Sequence, residues 1–247
     1  ETDTDIPEFC TFTDQSLHTG LDLEKQKELI HGYYACISYL DAQVGELLAT
    51  LESLGTLDNT IIVLWGDHGW HLGDHDLWNK HTNFENATKV PLIMVAPGIS
   101  SGDADTFAEF VDIYPTLCDL AGINIPLNID GKSLVQAMEN KKSRLRDYAV
   151  SQYPRKLTKE EADRRGYEST TIMGYSLRTE RYRYTMWVHD FTTRQLFSDR
   201  KICEEELYDY QKDPLETINV VAEKSYFKIK KELKKMMIDF FSKQLDK

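Results

Sequence analysis

A continuous apolar run that gives way abruptly to a polar loop constrains this sequence more than any other feature. Residues 61–65 read Ile-Ile-Val-Leu-Trp, the pattern of a strand that is buried on both faces. The run stops at Gly66, and residues 67–81 then contain three Asp, four His, one Lys and two Trp. In open α/β sheets, ligands bind beyond the carboxyl ends of the strands. This loop is therefore where the sequence predicts a functional site.

The residue types in this loop suit a metal ion and an anion. Asp67 is a hard oxygen ligand suited to Ca²⁺ or Mg²⁺, and His68 can bind a transition metal or donate a hydrogen bond. Lys80 is a compact positive charge that suits a sulfate or phosphate oxygen. The alternative is a loop whose Asp and His residues only cap and solvate one another. The density of such residues directly after a buried strand favours a site.

Hydrophobic periodicity predicts the elements around the loop. Leu21–Leu54 has apolar residues at three- and four-residue spacing, which predicts a long helix packed against the sheet. A second buried strand is predicted at 91–95. A helix follows whose regular part starts near Ile113, because Pro115 is best tolerated in the first turn.

The second part of the chain has a different pattern. Residues 156–166 are charged throughout, which predicts a mobile surface insertion. Strands are predicted at 148–153, 171–177, 182–188 and 206–210, and an amphipathic helix at 225–245. The sequence thus predicts an α/β layered domain over residues 1–144 and an α+β subdomain, an antiparallel sheet covered by one helix, over residues 145–247.

Four motifs lie in and just after the loop: Gly66-Asp67-His68-Gly69, Leu72-Gly73, Trp78-Asn79-Lys80-His81 and Val90-Pro91-Leu92-Ile93. They resemble the second half of a sulfatase, a family of the alkaline-phosphatase-like superfamily. Within the family the resemblance is greatest to iduronate-2-sulfatases, and it covers most of the chain. Further matching stretches are 33–48, 112–117, 151–155, 172–179, 182–185, 206–209 and 213–215.

The resemblance implies roles for three residues of the loop. Asp67 and His68 match the positions that bind the single active-site calcium ion of the family, and Lys80 matches the sulfate-binding lysine. It also implies an alkaline-phosphatase-like α/β fold. In the family mechanism a hydrated formylglycine attacks sulfur and releases the alcohol, so that one difficult displacement becomes two easier steps.

The chain departs from the family pattern at the nucleophile. Formylglycine is made from the first residue of a Cys/Ser-x-Pro/Ala-x-Arg motif, and that pattern follows none of the four cysteines, Cys10, Cys36, Cys118 and Cys203. The first pair of calcium-binding aspartates is missing as well. The expectation is a C-terminal portion of a longer enzyme. Its partner would be the N-terminal part of the same enzyme, in one chain or as a separate chain, which carries the formylglycine.

The resemblance to iduronate-2-sulfatases also implies a substrate. The expected reaction removes an O-sulfate, the 2-O-sulfate of a uronic acid, from a glycosaminoglycan such as heparan, heparin or dermatan sulfate. Trp70 and His71 are candidates for the wall of the sugar pocket. Arg155 and Arg178 are candidates for binding the uronic acid carboxylate, because a guanidinium fork suits that group. Pairing of either arginine with an acidic residue of the protein is the alternative.

Two other functions stay open on the sequence alone. One is a phosphatase or phosphodiesterase of the same superfamily, and the other is a non-catalytic glycan-binding module. The net charge of −12 argues against non-specific binding of nucleic acid. No run of about eighteen apolar residues predicts a membrane span. A secretory route, to the lysosome, the periplasm or the extracellular space, is implied by the family alone.

Overall fold

The structure, a computed structural model, describes residues 21–189 and 201–245. Contacts divide these residues into two compact units. Unit 1 comprises residues 68–89 with 148–189 and 201–245, and unit 2 comprises residues 21–67 with 90–147. One join between the units falls at 147/148, close to the predicted domain boundary, but the polar loop groups with the C-terminal sheet. The division into residues 1–144 and 145–247 stays a prediction.

Unit 2 begins with the long helix α1, Leu23–Ser53. The helix starts after Asp22, whose side chain accepts a hydrogen bond from the Lys25 amide at 2.8 Å, and it stops before Gly55, where φ is +65°. The predicted helix, Leu21–Leu54, is therefore confirmed to within two residues at each end. None of its residues is fully buried, but apolar residues on one face are partly buried, among them Leu29, Ile30, Tyr33, Val44 and Leu51. Packing of this face against the sheet stays a prediction.

Strand β1, Ile62–Trp65, pairs in antiparallel fashion with strand β4, Leu92–Val95. The strands were predicted correctly in place, but not in burial. Trp65 is 47% exposed and Ile93 is 52% exposed. Two strands alone bury little of either face, and the predicted burial on both faces therefore fails here.

The rest of unit 2 is organised by helix α3, Ile113–Leu120, and helix α4, Val135–Glu139. A single 3₁₀ turn, Phe110–Asp112, precedes α3, which confirms that the regular helix starts at Ile113. The carboxylate of Asp112 has no exposed surface and binds the guanidinium of Arg146 through both oxygens.

Unit 1 is built on a four-stranded antiparallel sheet with strand order β5-β6-β7-β8. The strands are β5 (Tyr148–Lys156), β6 (Thr171–Thr179), β7 (Tyr182–Val188) and β8 (Ile202–Asp209). Helix α6, Phe227–Leu245, covers one face, as predicted. The predicted mobile insertion is instead helix α5, Lys159–Arg165. It is capped by Thr158 and Glu161 in a reciprocal pair, and it ends at Gly166 with φ +69°.

The polar loop adds two short strands to unit 1, β2 (His71–Leu72) and β3 (Trp78–Asn79), with a 3₁₀ turn between them, and helix α2 (Glu85–Thr88) follows the loop. They lie on the face of the sheet opposite α6, where the side chains of Asn83 and Glu85 bind strand β6. Among the described residues, no helix has both the length and the hydropathy needed to cross a membrane.

Candidate functional site

The hairpin β2–β3 presents Lys80 immediately after its second strand. Its register pairs His71 with Asn79. The connection between the strands, residues 73–77, places two successive residues, His75 and Asp76, at φ of 58° and 57°, a left-handed region that is uncommon for residues other than glycine. Asn79 also has a positive φ, of 89°. Such a conformation costs free energy and persists where the surroundings hold it, which is common beside functional sites.

The structure brings together three of the predicted site residues, His68, Trp70 and Lys80. The imidazole of His68 stacks on the indole of Trp70, with ring centroids 6.2 Å apart and planes inclined by 29°. The Nζ atom of Lys80 lies 5.7 Å from the centroid of the same Trp70 ring. A cation over an indole face is attracted by the ring quadrupole. Trp70 thus holds the ammonium of Lys80 and the ring of His68 in one neighbourhood.

The backbone fixes the imidazole of His68. Its Nδ1 atom lies 2.9 Å from the carbonyl oxygen of Gly69. A neutral ring that donates its Nδ1 proton to this carbonyl carries its lone pair on Nε2, which is the usual arrangement of a histidine that binds a metal. Gly69 cannot be replaced without a shift, because an added Cβ would lie 1.9 Å from the Asn86 carbonyl oxygen.

Asp67 and His68 supply the donor chemistry for part of a metal site. Asp67 is exposed, and its carboxylate is the hard ligand that calcium prefers. Calcium takes six to eight oxygen ligands, yet no group of three or more His, Cys, Asp or Glu residues within 21–189 and 201–245 could hold a metal ion. The two residues therefore fit a calcium ion only as a partial ligand set, and the ion stays a prediction.

His71 belongs to the core beneath the site and not to a pocket wall. Its ring has no exposed surface, and its Nε2 atom lies 2.8 Å from the Thr82 hydroxyl. Burial, and then the nearby His75, lower the pKa of His71 to about 4, although Asp74 opposes the shift. The imidazole is neutral near pH 7. The buried position of His71 therefore does not support the predicted contact with the sugar.

The guanidinium of Arg178 is bound by a carboxylate of the protein itself. Its Nε and Nη2 atoms lie 3.0 and 3.2 Å from the two oxygens of Glu85, and its Cζ lies 3.7 Å from the centroid of the Tyr210 ring. Glu85 thus occupies the guanidinium fork of Arg178, which is the alternative in which the arginine pairs with an acidic residue of the protein. Arg155 is half-buried on the same sheet face, with its Cζ 4.4 Å from the centroid of the Trp187 ring.

A buried ionic cluster that the sequence did not predict lies beside the site. Arg183 is 1% exposed, and its Nε and Nη2 atoms each lie 2.5 Å from a carboxylate oxygen, of Glu216 and Glu85 respectively. Burial raises the pKa of Glu85, but hydrogen bonds from Arg178 and the charge of Arg183 outweigh it, so the net pKa is lowered. The apolar residues at 182, 184, 186 and 188, with Arg183 and Thr185 between them, were the available signal that Arg183 faces the other way.

Comparisons with known proteins place these features in context. The sulfatase family model matches residues 3–123, and a model described as N-sulphoglucosamine sulphohydrolase, C-terminal, matches residues 73–243. Iduronate 2-sulfatase of Homo sapiens is 32% identical over an alignment that covers 81% of this chain and 45% of the relative. The chain therefore spans about half the length of the curated relatives it matches.

Two solved structures have the same fold. One, described as a 2-O GAG sulfatase, is 26% identical with a TM-score of 0.72, and the match covers 100% of this chain and 51% of that chain. The other, the phosphonate monoester hydrolase of Agrobacterium radiobacter, is 27% identical with a TM-score of 0.76, and the match covers 92% and 43% of the two chains. These similarities confirm the predicted fold class.

Proposed function

This chain belongs to the sulfatase family, and from that premise we propose that it contributes the sulfate-binding half of a site that hydrolyses sulfate esters. The observation that carries the proposal is the grouping of His68, Trp70 and Lys80. The ammonium of Lys80 neutralises an oxygen of the sulfate group as negative charge develops there, which is the kind of preorganised stabilisation that lowers a barrier most. A calcium ion held in part by Asp67 and His68 would add positive charge beside the same oxygens.

The proposed attacking group comes from another part of the enzyme, because no Cys or Ser of this chain begins a Cys/Ser-x-Pro/Ala-x-Arg motif. Exposed apolar side chains on unit 2 support a second part that covers them. They include Tyr34, Ile37, Leu40, Leu47, Leu64, Trp65, Ile93 and Val95. We expect residues 1–247 alone to be inactive on an aryl sulfate, and turnover equal to that of the whole enzyme would overturn this division of the site.

The proposed substrate is a glycosaminoglycan with a 2-O-sulfated uronic acid. The likeness to an iduronate 2-sulfatase and to a 2-O GAG sulfatase supports it. Arg155 is the remaining candidate for the uronate carboxylate. Arg155→Ala should weaken catalysis on a sulfated uronate by roughly 1.5–3 kcal/mol, the scale of a hydrogen bond to a charged group, and barely affect a small aryl sulfate. Equal losses on both substrates would remove Arg155 from this role.

We propose that the enzyme enters the secretory route, and the resemblance to the family is the support for this proposal.

Lys80 provides the direct test of the proposed function. In the enzyme that contains this chain, Lys80→Ala should lower turnover of an aryl sulfate by at least ~100-fold, the scale of losing one charge-stabilising donor. Lys156→Ala is the matched control, because Lys156 is an exposed lysine at the end of β5 in the same unit. Equal activity of the two variants would assign Lys80 a structural role only.

Hydrolysis of a phosphate or phosphonate ester is the second candidate, favoured by the likeness to a phosphonate monoester hydrolase. Parallel assays with the sulfate, phosphate and phosphonate esters of one aryl alcohol separate the two candidates. A higher kcat/KM on the sulfate supports the first, and the reverse order supports the second. Binding of a sulfated oligosaccharide without turnover of any ester would instead indicate a glycan-binding module.

A further inference from the structure

Just beyond Lys80, the segment that carries the site is bound to the face of the sheet opposite α6. The side-chain amide of Asn83 donates to the carbonyl oxygen of Gly174 at 3.1 Å, and its oxygen accepts from the Ser151 hydroxyl at 3.3 Å. Gly174 permits this approach, because an added Cβ would lie 2.7 Å from the Asn83 nitrogen. The chain between Lys80 and helix α2 is thereby held at a defined height above strands β5 and β6.

Helix α2 is held from below by the buried ionic cluster. Arg183 contacts it twice, through the Glu85 carboxylate at 2.5 Å and through the Thr88 hydroxyl at 3.1 Å. Glu216 accepts a hydrogen bond from the backbone amide of Glu85 at 2.7 Å, and it binds Arg183 with its other oxygen. Arg178 supplies the second positive charge on Glu85. Two arginines and two glutamates thus balance in charge within the cluster.

Helix α2 also binds the backbone next to His68. The amide of Gly69 donates to the carbonyl oxygen of Ala87 at 2.9 Å. Gly69 also provides the carbonyl at the Nδ1 atom of His68. Arg183 is therefore linked to His68 through Glu85, α2 and Gly69, in a series of contacts that all lie within unit 1.

A cluster of this kind specifies position more than it adds stability. Well-packed apolar residues of similar volume stabilise a buried site as well as ions do, or better. Charge-assisted hydrogen bonds, in contrast, fix both distance and direction. Glu216 adopts a φ of +58°, an uncommon conformation for a residue other than glycine, and it is 3% exposed. The fold accepts that conformation at the point where Glu216 reaches both α2 and Arg183.

We propose that Arg183, Glu85 and Glu216 are positioning residues, which set the placement of His68 and Lys80 through α2 and Trp70. The proposal rests on the proposed function for its catalytic consequence, but its structural part stands separately. Lysine at position 183 retains the charge but loses the planar fork that reaches Glu216, Glu85 and Thr88 together. Arg183→Lys should therefore loosen α2 even in a protein that folds.

The experiment combines hydrogen exchange with steady-state kinetics in the enzyme that contains this chain. The variants are Arg183→Lys and Glu85→Gln, the second of which preserves shape and serves if the first does not fold. Arg181→Lys is the matched control. Arg181 lies just before strand β7, and its Nε and Nη2 atoms bind Asp209 at 2.8 and 2.7 Å, away from α2.

The expected result is local. Exchange of the Gly69 amide should accelerate by at least ~10-fold more in Arg183→Lys or Glu85→Gln than in Arg181→Lys, while amides of the β6–β7 ladder stay protected. With an aryl sulfate, kcat should fall by roughly 10- to 100-fold, the scale of a small misplacement of reacting groups, with little change in KM.

Two outcomes count against the proposal. Exchange at Gly69 that rises only in step with global unfolding, or equally in the Arg181→Lys control, overturns the positioning role. Normal kcat with accelerated exchange overturns its link to catalysis. An unmutated enzyme without any sulfate ester turnover would instead refute the proposed function, and the exchange measurement would still decide whether the cluster positions the loop.

Discussion

The two faces of the four-stranded sheet use alternate residues of the same strands for opposite purposes. On β7, the side chains of Tyr184, Met186 and Val188 have no exposed surface and pack in the apolar core with α6. Arg183, one residue away, points to the other face and binds the segment that carries the candidate site. Strand alternation therefore separates the apolar core under α6 from a second face, where the ionic cluster lies beside a smaller apolar cluster of Leu157, Ile172 and Trp187.

The two faces differ in how strongly their contacts depend on direction. Apolar burial contributes free energy roughly in proportion to area and without a preferred orientation, so α6 can be stable with modest errors in placement. The opposite face uses charged hydrogen bonds, which tolerate little misplacement. The residues proposed to bind sulfate lie on the side where the ionic cluster provides directional contacts, and α6 lies on the side that is held mainly by apolar burial.

Loss of apolar volume under α6 should give the largest effect on stability. Met237 has no exposed surface and sits in the core of this face. Met237→Ala should lower the free energy of unfolding by about 2–5 kcal/mol, because it removes buried area and leaves a cavity. Lys235→Ala, an exposed neighbour on the same helix, should change it by no more than about 0.5 kcal/mol. Urea titration measures both, and similar values would contradict the assignment of the core to this face.

The stability of the segment on the opposite face, which contains His71, should instead depend on pH. The pKa of His71 is about 4 in the folded state and about 6.5 in an unfolded chain. Between these values the unfolded state binds more protons, so stability should fall as the pH is lowered from about 6.5 to about 4, by roughly 2–3 kcal/mol. His71→Gln retains polarity without this titration and should remove that part of the slope. An identical pH profile in the variant would show that His71 titrates normally.

The sequence predicted the elements whose signals are local. The bounds of α1 and the places of β6 and β7 followed from periodicity within each segment. Helix α5 was missed because charged composition outweighed a capping pair, Thr158 and Glu161, that is equally visible in the sequence. That error is one of weighting rather than of missing information.

Long-range partners were beyond the sequence. Nothing near Arg178 indicates that its fork binds Glu85, which lies 93 residues away along the chain. The predicted burial of β1 was wrong for a related reason. An apolar run indicates that a strand is able to bury its side chains. Whether Trp65 is exposed depends on which layers of structure cover it. For the site, His68 and Lys80 stood out by residue type and the resemblance gave them roles. The direction of Arg183 could be predicted from strand alternation, whereas its partners Glu85 and Glu216 could not.

The smallest expected effect tests whether an ion pair contributes to the free energy of unfolding on the α6 face. Lys230 on α6 lies 2.6 Å from Glu205 of β8, with both side chains partly exposed, and Lys234 lies 4.0 Å from the same carboxylate. Glu205 also accepts a hydrogen bond from the Tyr184 hydroxyl. Lys230→Met keeps the helix propensity and the apolar stem, and Lys234 still compensates the carboxylate. The loss of unfolding free energy should therefore stay below about 1 kcal/mol, as for solvent-accessible ion pairs. It should be measured by urea titration at low and high salt. A loss above about 2 kcal/mol that disappears in high salt would mean that an ion pair fastens α6, and the contrast between an apolar face and an ionic face would no longer hold.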